Sequence, residues 1–140
     1  MTISNVRAVR LEWLGKGMRF RAVGTEPPTP AVEIDGDGNS GPSPMITLLF
    51  AAAGCSGADV VDLLKKMRVP LARLSIEVRG QRREEQPRRY VAVHYRYLVS
   101  GEGVDQAKAE RAVSLSLEKY CSVVHSLAPD IKVTHEVLLV

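Results

Sequence analysis

The sequence predicts one α+β domain over residues 1–140, with elements in the order βββ-α-ββ-α-β, and three observations carry that reading. The first third alternates apolar and polar residues with period two. One long apolar segment is bracketed by Ser43-Pro44 and Val69-Pro70. A second helical stretch, opened by Asp105, lies between strand-like runs. Strands and helices segregated in this way imply antiparallel sheet packed on two main helices.

Val9, Leu11 and Trp13 alternate with Ala8, Arg10 and Glu12, as in a half-buried strand. Gly15-Lys16-Gly17 supplies a turn, and Met18, Phe20 and Ala22 then alternate with Arg19, Arg21 and Val23 to complete a hairpin. Three prolines make residues 25–30 a loop, and residues 32–34 form a short third strand. Residues 35–41 read as a flexible glycine-rich loop. Their Asp and Gly content is that of a calcium loop, but Ser40 and Ile46 stand where an EF-hand needs glycine and glutamate.

Ser43 then caps a helix whose first position is Pro44, where a missing N–H costs nothing. The helix runs to about Arg68, and Ile46, Leu49, Phe50, Ala53, Val60, Leu63 and Leu64 predict burial of its first half on nearly all sides. Strands follow at residues 74–78 and 91–99, joined by a charged, solvated tip over 81–89. Asp105 caps a second helix reaching about Tyr120, with Ala109, Ala112, Val113, Leu117 and Tyr120 on its apolar side. Residues 131–139 alternate into a last strand.

Composition excludes several classes. An apolar fraction of 45% with 25% charged residues is that of an ordinary globular protein. Nineteen basic and 16 acidic residues leave +3, too little to imply nucleic acid without a concentrated patch. The candidate patch is Arg79, Arg82, Arg83, Arg88 and Arg89, followed by Tyr95 and Tyr97. Glu84 and Glu85 interrupt it, and the tyrosines fall in phase with Val91 and Val93, so they belong to the core and no nucleic acid is expected. Residues 1–13 lack the apolar run of a leader. The longest apolar run, residues 45–57, has the length of a core helix and not of a membrane span. The expectation is a cytoplasmic protein without membrane contact, in which cysteines are reactive, metal-binding or simply buried rather than a structural staple.

Cys55 sits within Ala51-Ala52-Ala53-Gly54-Cys55-Ser56-Gly57-Ala58, a run of small side chains that lets another backbone approach closely. A disulfide needs Cα atoms roughly 5.5 Å apart, closer than the ~8–10 Å between packed helix axes. Cys121 lies at the end of the second helix. Two unrelated buried cysteines satisfy these facts equally well. Zinc bound by Cys55, Cys121 and His125 is a weaker alternative, because the spacing matches no zinc motif. His125 itself reads as a surface residue, and His135, in phase with Val133 and Val137, as a core or interface histidine.

Gly41-Pro42-Ser43-Pro44-Met45, Leu48-Leu49, Ala51-Ala52-Ala53-Gly54-Cys55, and later Leu117-Glu118-Lys119-Tyr120-Cys121-Ser122-Val123 resemble the two cysteine motifs of the OsmC/Ohr family. The resemblance covers the whole chain and is nearest the OsmC-like branch. It implies an OsmC-like fold assembled as an intertwined homodimer, and a cysteine-based peroxidase that reduces organic hydroperoxides. Cys55 would attack the peroxide and Cys121 would resolve the product as a disulfide. No bound cofactor is implied, only an external dithiol or lipoylated protein as reductant.

A thiol among alanines has its pKa raised, so Cys55 needs a cation, and the resemblance places Arg19 in that role. The substrate pocket would be walled by Met45, Leu48, Leu49, Phe20 and Tyr120. The organic-hydroperoxide branch carries a glutamate after the helix-opening proline, where this chain has Met45; that change predicts a less firmly held Arg19 and slower turnover. A non-catalytic small-molecule binding or redox-sensing module is the alternative.

Overall fold

The predicted element order holds in a computed structural model that describes residues 4–140. Strands β1 (Ala8–Trp13), β2 (Arg19–Glu26) and β3 (Val32–Asp35) precede helix α1 (Pro44–Lys66). Strands β4 (Arg73–Arg82) and β5 (Tyr90–Ser100) follow, then α2 (Gln106–Leu115), a π-helical turn (Ser116–Tyr120), the short α3 (Ser122–Ser126) and β6 (Lys132–Leu139). The chain divides into two compact units, the first ending at Leu48 and the second Leu49–Val140. Of the opening residues expected to lack a leader, 1–3 lie outside the described residues.

In the first unit, β1, β2 and β3 form an antiparallel sheet in that order. Phe20 pairs with Trp13 on one side and Ile34 on the other. Gly15 and Gly17 turn the β1–β2 hairpin with φ of 82° and 56°, a region that costs L side chains strain. The half-buried face expected on β1 is uncovered within one chain: Val9 is 78% and Trp13 61% exposed.

Residues 35–41 are not the flexible loop expected. Asp35 is buried, and its carboxylate accepts the backbone N–H groups of Asp37, Asn39 and Ser40 and the Ser40 hydroxyl, which winds the loop around it. These bonds, led by those from Ser40 and Asp37, hold the Asp35 carboxyl below its ordinary range. Ser43 caps α1 as expected, its hydroxyl accepting the Ile46 N–H at 3.2 Å.

In the second unit, β4 and β5 form the expected antiparallel hairpin, but β6 joins β5 in parallel. This corrects the all-antiparallel expectation. The long β5-to-β6 connection carries a helix, which is the geometry a parallel crossover needs. Val93, Tyr95, Tyr97 and Val99 point inward from β5, and Ala52, Val60 and Leu64 of α1 and Ala109, Ala112 and Val113 of α2 complete the buried set. Gly57 lets α1 come near β4, since a Cβ there would lie 3.1 Å from the Ile76 side chain. The arginines of the hairpin tip are engaged locally: Arg82 and Arg83 donate to tip carbonyls, and Arg89 pairs with Asp130 at 2.6 Å.

The 23-residue α1 is the one described helix long and apolar enough to cross a membrane by length and composition. Within the second unit its side chains Ser56 and Asp59 hydrogen-bond to Tyr97 and Ser116. Burial on nearly all sides is not found within one chain. A single stripe, Ala52, Ser56, Val60 and Leu64, is buried, while Ile46, Phe50 and Val61 are exposed.

Candidate active site

Cys55 and Asp59 stand one helical turn apart on α1, so their side chains share a face. Cys121 reaches the same place through the π-helical turn. The π turn closes on Cys121, whose backbone N–H donates to the Ser116 carbonyl, and Cys121 follows Val113 and Leu117 at the same four-residue step along the inward face. Cys121 is therefore fully buried, and Tyr120, expected on the apolar side, is 47% exposed with the Lys119 ammonium over its ring.

The sulfurs of Cys55 and Cys121 and a carboxylate oxygen of Asp59 all lie within 4.8 Å of one another. Both cysteines are free thiols. A disulfide is about 2.0 Å long, so oxidation would draw the sulfurs together by less than about 3 Å. Burial pushes the Cys121 thiol up to about 11, against the opposing pull of the Val124 and Val123 backbone N–H groups on its thiolate; the neighbouring Cys55 adds to the rise. Cys121 is thus a sealed, neutral thiol at neutral pH, beside a half-buried Cys55.

A buried hydroxyl chain ends beside the thiols. Ser116 Oγ donates to Asp59 Oδ2 at 3.0 Å, Ser56 Oγ lies 2.8 Å from Ser116 Oγ, and Tyr97 Oη lies 2.5 Å from Ser56 Oγ. A carboxylate only accepts, so Ser116 gives its one proton to Asp59, Ser56 donates to Ser116, and Tyr97 donates to Ser56. Tyr95 stacks on Tyr97 with ring centroids 5.7 Å apart and donates to the Ala52 carbonyl at 3.3 Å. Burial raises both phenols well above their ordinary value.

Cys55, Asp59 and Cys121 also offer a metal three donors, the number a catalytic zinc takes from protein, one short of a structural site. The same sulfurs cannot serve a metal and a disulfide together. His125, the third ligand considered from sequence, is exposed and outside this group.

Arg19, Phe20, Met45 and Leu48 belong to the first unit, and Leu49 and Tyr120 to the second with the cysteines. Phe20, Met45, Leu48 and Leu49 are half-buried. Arg19 is held by Glu33, Nη2 to Oε1 at 2.9 Å, while its Nε is buried without a hydrogen-bond partner among the described residues. Glu33, on β3, is thus the carboxylate partner of Arg19. The hydrogen bond to Glu33 raises the Arg19 pKa, and the same bond lowers that of Glu33. His135, half-buried, lies 3.1 Å from Glu110.

Sequence reading missed Glu33, Asp59, Ser56, Ser116 and Tyr97 as site residues. Asp59 carried a usable signal, a carboxylate four residues after a cysteine on one helix. Ser56 and Ser116, 60 positions apart, carried none.

The family model of OsmC-like proteins matches residues 36–136. The chain belongs to the OsmC family. Its matched region contains Cys55, Asp59, Cys121 and the hydroxyl chain, while Arg19 and Glu33 precede it. YhfA of Escherichia coli K12 is 43% identical over 102 residues, 71% of this chain and 76% of YhfA. The crystal structure of a protein from Aquifex aeolicus VF5 has 32% identity and a TM-score of 0.83, covering 98% of this chain and 99% of that one. The organic hydroperoxide resistance protein OhrB of Bacillus subtilis, at 15% identity and a TM-score of 0.63, shares the fold over 95% of this chain and 98% of its own. Membership of the OsmC family and the two neighbouring thiols fit a redox role.

Proposed function

We propose that this OsmC-family protein is a thiol-dependent peroxidase for organic hydroperoxides. The observation that carries the reading is the placement of the Cys55 and Cys121 sulfurs within 4.8 Å, one thiol half-buried and the other sealed. The Cys55 thiolate attacks the O–O bond of the hydroperoxide, takes one oxygen as sulfenic acid and releases an alcohol. Cys121 then displaces the sulfenic hydroxyl, forming the disulfide and water. A cellular dithiol or lipoylated protein returns both thiols by exchange and leaves oxidised. OhrB of Bacillus subtilis, which shares the fold, is an organic hydroperoxide resistance protein.

The cation role goes to Arg19, which Glu33 orients. Alkyl preference follows from apolar side chains such as Leu48, Leu49 and Met45, since covering a butyl-sized group of about 100 Å² gains ~2 kcal/mol that hydrogen peroxide cannot. The working form is a cytoplasmic homodimer. Its support is the apolar surface one chain leaves uncovered: Val9, Leu11 and Trp13 on one face of β1, and Ile46, Phe50 and Val61 on α1.

Steady-state peroxide consumption with dithiothreitol, then with a lipoylated protein, tests the activity. Cumene hydroperoxide should be consumed with a higher kcat/KM than hydrogen peroxide, and a preference for hydrogen peroxide would overturn the substrate class. Light scattering at micromolar concentration should give the mass of two chains.

A further inference from the structure

The peroxidase reading assigns no task to Asp59, the third member of the thiol cluster, and leaves one chemical requirement unmet. Cys121 must attack as a thiolate, yet it is fully buried and burial holds it as the neutral thiol. A base is needed where bulk water has no access. We propose that Asp59 is the general base of the resolving step, accepting the Cys121 proton as that sulfur attacks Cys55. The inference rests on the reading above for its first, peroxide-dependent half.

Three observations carry it. A carboxylate oxygen of Asp59 lies within 4.8 Å of both sulfurs. Oδ2 receives the Ser116 hydroxyl proton at 3.0 Å, so the carboxylate is fixed in orientation while keeping lone pairs for a further proton. The chain Tyr97–Ser56–Ser116 points all its protons toward Asp59, which makes the carboxylate its terminal acceptor and the one basic group in the cluster. His125 has its side chain exposed and is not in the cluster.

The step balances without a further reagent. The Cys121 S–H bond breaks and its proton passes to Asp59. The S–S bond forms as the Cys55 S–O bond breaks, and the departing hydroxyl takes the proton from Asp59 to leave as water. Cys55 sulfur is reduced from sulfenic acid to disulfide and Cys121 sulfur is oxidised.

The test separates this step from peroxide chemistry. Dithionitrobenzoate loads Cys55 with a mixed disulfide and releases one nitrothiolate; attack by Cys121 releases a second. Asp59→Asn should still give the first release, and the second should be at least about tenfold slower than in the parent, within the range of a general base. With one equivalent of cumene hydroperoxide, the same variant should accumulate sulfenic acid that a dimedone probe traps, where the parent shows disulfide. Equal rates of second release in Asp59→Asn and parent would overturn the assignment. Should Asp59→Asn not fold, Ser116→Ala keeps the carboxylate but removes the bond that fixes it: slowed second release supports the assignment and a parent-like rate overturns it. Failure of the peroxidase reading looks different, with no sulfenic acid on Cys121→Ser while second release still reports on Asp59.

Discussion

The Cys121 backbone N–H donates to the Ser116 carbonyl at 2.7 Å, reaching back five residues where an α-helix reaches four. At the end of that turn Cys121 is buried beside Cys55, while Tyr120 is exposed. The two thiols should therefore differ in access. Brief alkylation of the native reduced protein at neutral pH should label Cys55 and spare Cys121, with both labelled after denaturation; peptide mass mapping reads the outcome, and equal native labelling would contradict the burial.

Alkaline stability should carry the mark of Cys121. Burial raises its thiol from an ordinary 9.0 to about 11, so between those values the unfolded chain ionises while the folded chain does not. The folded state then binds more protons, and stability falls as pH rises through that window, having been unaffected by this group below it. Tyr95 and Tyr97 add a similar loss only above about pH 10, where phenols of an unfolded chain begin to ionise. Urea midpoints of the reduced protein should drop between pH 9 and 10 and do so less in Cys121→Ser.

The hydroxyl chain should be costly to interrupt in its middle. Ser56→Ala leaves both the Tyr97 hydroxyl and the Ser116 acceptor unpaired in a fully buried place, at about 1–3 kcal/mol for each such group. Tyr97→Phe removes the donor at the end of the chain and leaves only a Ser56 lone pair, so it should cost less. Urea unfolding of the two variants gives the order.

Much of this arrangement was legible because local signals agreed with the fold. Ser43-Pro44 and Asp105 mark helix starts by their own chemistry, and the Asp105 side chain does accept the Lys108 N–H at 2.8 Å. Tyr95 and Tyr97 fall in phase with the β5 valines and are buried. The π turn was not legible, because a single wider turn leaves composition and hydrophobic spacing unchanged. The parallel β5–β6 pairing was missed because alternation is the same in either direction; only the helix between the strands pointed to it. Residues 35–41 misled because their glycines suggest freedom, while the Asp35 carboxylate gathers their N–H groups. The exposed β1 and α1 faces are a different case, since apolar pattern reports burial without saying by which chain.

Glu33 should matter to activity through Arg19. Glu33→Gln removes the charged partner 2.9 Å from the guanidinium, and should slow peroxide consumption in the direction of Arg19→Ala. Arg21→Ala, an exposed neighbour on the same strand, should have a smaller effect. With Glu33 in place, Met45→Glu should gain little. A Met45→Glu variant much faster than the parent would show that Glu33 does not fill the role.

The central claim is that Cys55 and Cys121 act as one redox pair, and the mass of the unreduced protein after one equivalent of cumene hydroperoxide tests it most directly. The account predicts loss of two hydrogens within a single chain, sulfenic acid retained on Cys55 in Cys121→Ser, and no reaction in Cys55→Ser. A parent protein that keeps both thiols, or single variants that both consume peroxide at the parent rate, would contradict it.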